Sequence, residues 1–290
     1  MSQIYRLMNT DDKIINKYII KSIIGEGKFG KVYKAYNIKN EEFVAIKLED
    51  KRTSYNLLKR ETTILKYLYE RKCRNIPMIY WFGPHNNYTT LVMSYYEISL
   101  YDYFQVKAVS ISKINNIMIK CINILENIHN LFVIHRDIKP QNFMIKNGEI
   151  FLIDFGLASY YITDEQIHIS NKIGEHIIGT PKYISTNIHN GYTPSRRDDI
   201  ISLGYIFIFL FNNELPWDNI TLNDEELLYP NPTHILNSFN VRRKNLKSIE
   251  NLIHICENIN TSIVNYFKIT YNIDYHITPP YNSLCSLFLI

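Results

Sequence analysis

The sequence has little of what marks a specialised protein class. It holds four cysteines in 290 residues, Cys73, Cys121, Cys256 and Cys285, with no CxxC pair among them. Neither a disulfide framework nor a zinc site is indicated, and free thiols in a reducing compartment are the expectation. It lacks a strong charge of one sign. The net charge is +4, with acidic and basic residues alternating, short of the basic imbalance of a dedicated nucleic-acid binder. It lacks a long hydrophobic run as well. The most membrane-like stretch, residues 200–211, has 12 residues, against roughly 20 for a spanning helix, so a buried core helix is expected there. The first residues, MSQIYRLMNTDDK, contain no apolar core of signal-peptide length. No internal repeat or low-complexity linker interrupts the chain. The expectation is one domain over residues 1–290, an intracellular monomer of cytoplasm or nucleus with no nucleic-acid or membrane partner.

What is present is an ordinary globular composition, 46% hydrophobic and 21% charged, on a chain long enough to bury about 75% of its unfolded surface. The 23 tyrosines read as a coding bias toward AT-rich codons and as packing residues. From residue 18 to 48 the pattern is strand-like: YIIKSIIG, KVYKAYN and EEFVAIKL, with residues 37–40 as a hairpin connection. Between the first two runs lie Gly25, Glu26, Gly27, Lys28, Phe29 and Gly30. A GxGxxG spacing alone fits a plain hairpin turn or a dinucleotide fingerprint, but the latter needs a helix to begin at the last glycine. Here Val32, Tyr33, Ala35 and Tyr36 alternate with lysines instead, which fits a glycine-rich hairpin over phosphates.

The third run closes with Ala45, Ile46 and Lys47, and the next segment, TSYNLLKRETTILKYLYE, carries a helical apolar stripe with Glu61 on it. The fourteen residues from Lys47 to Glu61 allow a strand-end ammonium to meet a helix carboxylate, a pair that can hold the lysine on a nucleotide's α and β phosphates. The alternative is a lysine that merely snorkels. Residues 88–93 read as another strand, and 94–98 as a hinge between a small strand-rich lobe (about 1–95) and a larger helical one (about 98–290).

Residues 111–131 form an amphipathic helix pattern leading into VIHRDIKPQNFMI, six polar side chains between two apolar ends. A solvated loop is the plain reading. Beyond it, FMIKNGEIFLIDFGLA places two apolar strands around Asn147-Gly148, the strongest short hairpin signal. Such a hairpin is expected to return the chain so that Asp154 shares a cleft edge with the polar loop. Phosphoryl transfer needs those residue types: a carboxylate to orient the attacking hydroxyl, cations for the transferring oxygens and hard oxygen ligands for Mg²⁺. Asp137 suits the first role, Lys139 the second, Asn142 and Asp154 the third. Positioning of this kind can supply about 7 to 11 kcal/mol of a barrier.

GEGKFGKV, VAIK, the Glu61 spacing, HRDIKPQN and DFG follow in the order of a eukaryotic-type protein kinase, which the sequence resembles. That resemblance implies an α+β, bilobal kinase fold and transfer of the γ-phosphate of ATP to protein substrates. Lys139 after HRD resembles serine/threonine kinases, so Ser/Thr acceptors are implied. It further implies that Lys47, Glu61, Asp137 and Lys139 are catalytic and that Asn142 and Asp154 bind Mg²⁺. Gly25, Glu26, Gly27, Lys28, Phe29, Gly30, Val32, Ala45, Lys47, Met93, Ser94 and Tyr96 would hold ATP, with Met93 as gatekeeper. Residues 179–217, with PSRRDD, SLGY and LPW and without an APE motif, resemble the casein kinase I group, as does the closing YFKITYNIDYHITPPYNSLCSLF. The vaccinia-related kinase group is a near relative that typically has Gly at the position of Arg136. Asp199 is implied as the brace of the catalytic loop. Ser159 and Glu175 stand where that group carries basic residues, unless a gap puts Lys172 in the second place, and Lys182 where it has Arg; on this alignment the expected anion site is weakened, and Glu175 either pairs with Arg136 or Lys182 or stands exposed on its loop. An ATP-binding pseudokinase scaffold is the rival; it would normally lack one of Lys47, Asp137 or Asp154.

Overall fold

The computed structural model describes residues 13–27, 30–52, 56–174, 177–221 and 232–289. The chain is α+β and divides into two compact units. One runs to Glu97 and also takes in Phe151–Gly156; the other comprises Ile98–Ile150 and the chain from Leu157 onward.

Among the described residues, the first unit is a six-stranded antiparallel sheet with one α-helix. Its strands are β1 (Lys13–Ile14), β2 (Tyr18–Gly27), β3 (Gly30–Asn37), β4 (Glu42–Asp50), β5 (Ile79–His85) and β6 (Tyr88–Ser94), and its helix is α1 (Leu57–Glu70). The order across the sheet is β1-β2-β3-β4-β6-β5. Period-two alternation sends Tyr18, Ile20, Tyr33, Ala35, Val44, Ile46 and Val92 into one core cluster and Ala45, Leu91 and Met93 into another with Leu58 of α1. The three strands expected over residues 18–48 and the one at 88–93 are present. Helix α1 begins at Leu57, and the start of the stripe at 53–55 lies outside the described residues.

Asn56 makes no side-chain cap on α1. Glu49 of β4 does so instead, its Oε1 accepting from Leu57 N at 2.9 Å and its Oε2 from Leu58 N at 3.3 Å. A carboxylate at the positive end of the helix dipole stabilises the helix start. It also fixes α1 to the strand that carries Lys47.

The second unit begins with β7 (Ile98–Ser99), α2 (Leu100–Val106) and α3 (Ile111–Asn130), followed by β8 (Val133–Ile134), β9 (Phe143–Lys146), the first half of β10 (Glu149–Leu152), whose last two residues belong to the first unit, and β11 (Ser159–Tyr160). Asn147 and Gly148, at φ 53° and 77°, form the tight turn between β9 and β10, the double positive φ that Asn-Gly supplies at least strain. Then come α4 (Thr186–His189), α5 (Arg196–Asn212), α6 (Pro232–Leu246), α7 (Ile249–Glu257), α8 (Thr261–Thr270) and α9 (Tyr281–Ser286). Helix α5 is the apolar run 200–211, buried on every side. Gly204 admits the neighbouring helix: a Cβ there would lie 2.8 Å from the Phe267 ring of α8. Among the described residues, no helix is long and apolar enough to cross a membrane.

Candidate active site

In the first unit the glycine-rich segment is an antiparallel hairpin end, with Gly27 opposite Gly30 and Gly25 opposite Val32. Lys28 and Phe29 lie outside the described residues. Gly30 is at φ 143°, and a Cβ there would come within 2.1 Å of the Leu48 carbonyl, so no other residue fits without shifting β4. Glu26 pairs with Lys31 at 3.2 Å. Sheet register sets Val32 opposite Lys47 and Ala45 opposite Met93. The Ser94 hydroxyl accepts from Met78 N at 3.1 Å. The Tyr96 ring is buried and packs on Phe151 with centroids 4.8 Å apart, so Tyr96 has its main chain rather than its ring to offer a nucleotide.

Lys47 joins two carboxylates of this unit. Its Nζ lies 2.8 Å and 3.0 Å from the two oxygens of Glu61 and 2.7 Å from Oδ1 of Asp154. Burial opposes the ammonium charge, yet the nearby Asp154 and Glu61 carboxylates outweigh it and hold the Lys47 pKa above its ordinary value. Burial pushes Glu61 up against the pull of Lys47. Asp154 sits at φ 66°, a left-handed conformation uncommon for a non-glycine residue and often associated with sites, and its side chain is 44% exposed. The next residue, Phe155, is fully buried, which anchors the turn.

In the second unit the polar loop is an organised structure. Asp199, at the start of α5, accepts from His135 N at 2.7 Å, from Arg136 N at 2.9 Å and from His129 Nε2 at 3.0 Å. Burial works against its charge, but these donors hold its carboxyl below the usual range. Arg136 is at φ 68°, and the bonds of Asp199 to consecutive amides offset that strain. Pro140 then starts a short 3-10 turn ending at Asn142. Asn142 Nδ2 donates to the Asp137 carbonyl at 2.8 Å and to Asp137 Oδ2 at 3.3 Å.

The Asp137 carboxylate is held on both oxygens. Lys139 Nζ reaches Oδ2 at 2.6 Å; Thr180 reaches Oδ1 through its backbone N at 3.0 Å and its hydroxyl at 2.6 Å. Lys139 also donates to Thr180 Oγ1 at 3.2 Å. Thr180 is the residue sequence reasoning left unassigned. Its signal was present in the Gly179-Thr180 pair: Gly179 is at φ 102° and a Cβ there would meet the Arg136 carbonyl at 2.6 Å, so glycine lets the segment approach the loop. Lys182 pairs with Asp218 at 2.8 Å, and Arg136 Nε donates to the Leu157 carbonyl at 2.6 Å. Glu175, expected to pair with one of those two cations, lies outside the described residues.

In the second unit, with its Nδ2 engaged by Asp137, Asn142 has the hard oxygen Oδ1 left to offer. In the first unit, Asp154 presents a partly exposed carboxylate. In a comparison with protein families, the protein kinase domain matches residues 18–266. The match runs from β2 into α8.

Proposed function

Because the chain belongs to the protein kinase domain family, we propose that it is a serine/threonine protein kinase of the casein kinase I type, which moves the γ-phosphate of ATP to protein hydroxyls. The observation that carries this reading is the Asp137 carboxylate, gripped by Lys139 on one oxygen and by Thr180 on the other. A carboxylate so held can accept the hydroxyl proton while the acceptor oxygen attacks the γ phosphorus; the bond to the bridging oxygen breaks, and ADP leaves with the electron pair. Lys139 brings positive charge to the transferring phosphate beside the base, and a lysine at this place after HRD resembles serine/threonine kinases. Lys47, oriented by Glu61, would bind the α and β phosphates, with Ala45, Val32 and Met93 lining the adenine side. Mg²⁺ held by Asn142 and Asp154 would neutralise charge on the phosphate oxygens. Support for the casein kinase I type comes from the SRRDD segment, whose second aspartate, Asp199, braces the loop.

Phosphoamino-acid analysis of casein labelled by the wild-type chain tests the acceptor class. Phosphoserine and phosphothreonine are expected; label on phosphotyrosine alone contradicts the proposal. ATP binding with no transfer to casein or to a peptide panel favours the scaffold reading.

A further inference from the structure

Lys247 is fully buried in the link between α6 and α7. A lysine in such a place ordinarily finds a carboxylate, since burial without one disfavours the desolvated ammonium. Lys247 has neutral partners instead. Its Nζ donates to the Pro181 carbonyl at 3.0 Å and the Ile184 carbonyl at 2.8 Å, and lies 3.2 Å from Nε2 of His189. The ring faces of Tyr205 and Trp217 cover it at 4.9 Å and 5.1 Å. Its own carbonyl is fixed by the Tyr271 hydroxyl at 2.8 Å.

Both carbonyls belong to the turn that follows Thr180. Within that turn, Tyr183 N and Ile184 N donate to the Thr180 carbonyl at 2.8 Å and 3.1 Å, and Trp217 Nε1 donates to the Lys182 carbonyl at 2.8 Å. Its first residue grips Asp137, and Gly179 behind it is already in close approach to Arg136. The front of the turn is therefore set by the catalytic loop and its back by Lys247. We propose that Lys247 is a positioning residue for phosphoryl transfer: by holding the Pro181 and Ile184 carbonyls it seats the 180–184 turn, and with it Thr180, on the carboxylate of Asp137. This rests on the reading of Asp137 as the base. It accounts for an amine where methionine or leucine would be buried more cheaply.

Lys247→Met keeps the length and the apolar stem and removes the donors. The expected result is a Tm equal to or above wild type, because a desolvated polar head is lost. The KM for ATP stays unchanged, while kcat toward a protein acceptor falls roughly 10- to 100-fold, as misplacement of a positioned group does. A structural role alone would move Tm and leave kcat in place, and unchanged kcat overturns the proposal. Hydrogen exchange at the Tyr183 and Ile184 amides needs no activity: in the variant it is expected to rise by about tenfold or more, and unchanged exchange counts against the clamp. A wild type that transfers no phosphate at all defeats the kinase reading, and exchange then decides the clamp by itself. If the variant does not fold, wild-type exchange at those two amides decides. Rates as slow as in α5 support the clamp, and rates of an open turn overturn it.

Discussion

At the scale of single residues, the site is built by side chains that hold other side chains. Thr180 illustrates this, since its hydroxyl touches both the Asp137 carboxylate and Lys139. Thr180→Val keeps the shape and the backbone contact but removes that hydroxyl; a kcat lower by about tenfold or more is expected, with Thr180→Ser close to wild type. Equal kcat for Thr180→Val and wild type would show the hydroxyl to be idle. Glu49 is the counterpart in the first unit. Glu49→Ala leaves the start of α1 uncapped, and a loss of about 1 to 2 kcal/mol in denaturant unfolding is expected, together with a higher KM for ATP as Glu61 loosens from Lys47. The meeting of Lys47 with Glu61, and of Lys139 and Asn142 with Asp137, was legible in the sequence because each residue belongs to a motif or spacing that carries meaning. Thr180 and Glu49 were not. Their roles depend on contacts across 43 and 8 residues of chain, and neither residue type is unusual where it stands.

At the scale of elements, sequence pattern served the long and regular pieces best. The alternation of β3 and β4, the stripe of α3 and the Asn147-Gly148 turn were all legible, since each follows from a local period or a local φ requirement. Strand β5 was not, because its sequence IYWFGPH contains Gly83 and Pro84, which argue against a strand when read alone. The two-residue strands β1, β7, β8 and β11 exist by virtue of the neighbours they pair with and have no period to read. Helix α5 shows how an element serves a distant loop: it is buried all round, yet its first turn supplies Asp199 to the His135 and Arg136 amides. Gly204→Val tests its seating. The added side chain would press on Phe267 and Tyr266, and a destabilisation of about 1 to 3 kcal/mol is expected from overpacking, read as a lower Tm. An unchanged Tm would show that α8 has slack.

At the scale of the whole molecule, the second unit carries several histidines, one buried and two half-buried, whose surroundings disfavour the charged form. Burial lowers the pKa of His129 and of His168. His189 is pushed from 6.5 down to about 3 by burial and by the charges of Lys247, Arg243 and Lys244. A folded-state pKa below the unfolded one means that the unfolded chain binds more protons, so the histidine contribution is present above pH 6.5 and is lost as pH falls toward 3. For His189→Gln, the urea midpoint is expected to fall less steeply than for wild type between pH 7 and pH 5, a window bounded by the ordinary histidine pKa of about 6.5. Parallel profiles would show that His189 takes no part. The most direct test of the molecule's function is transfer of labelled γ-phosphate from Mg-ATP to dephosphorylated casein by wild type and by Asp137→Asn. Transfer by the wild type that is lost in the variant is the expected result; equal labelling by both, or by neither, would contradict Asp137 as the base of a protein kinase.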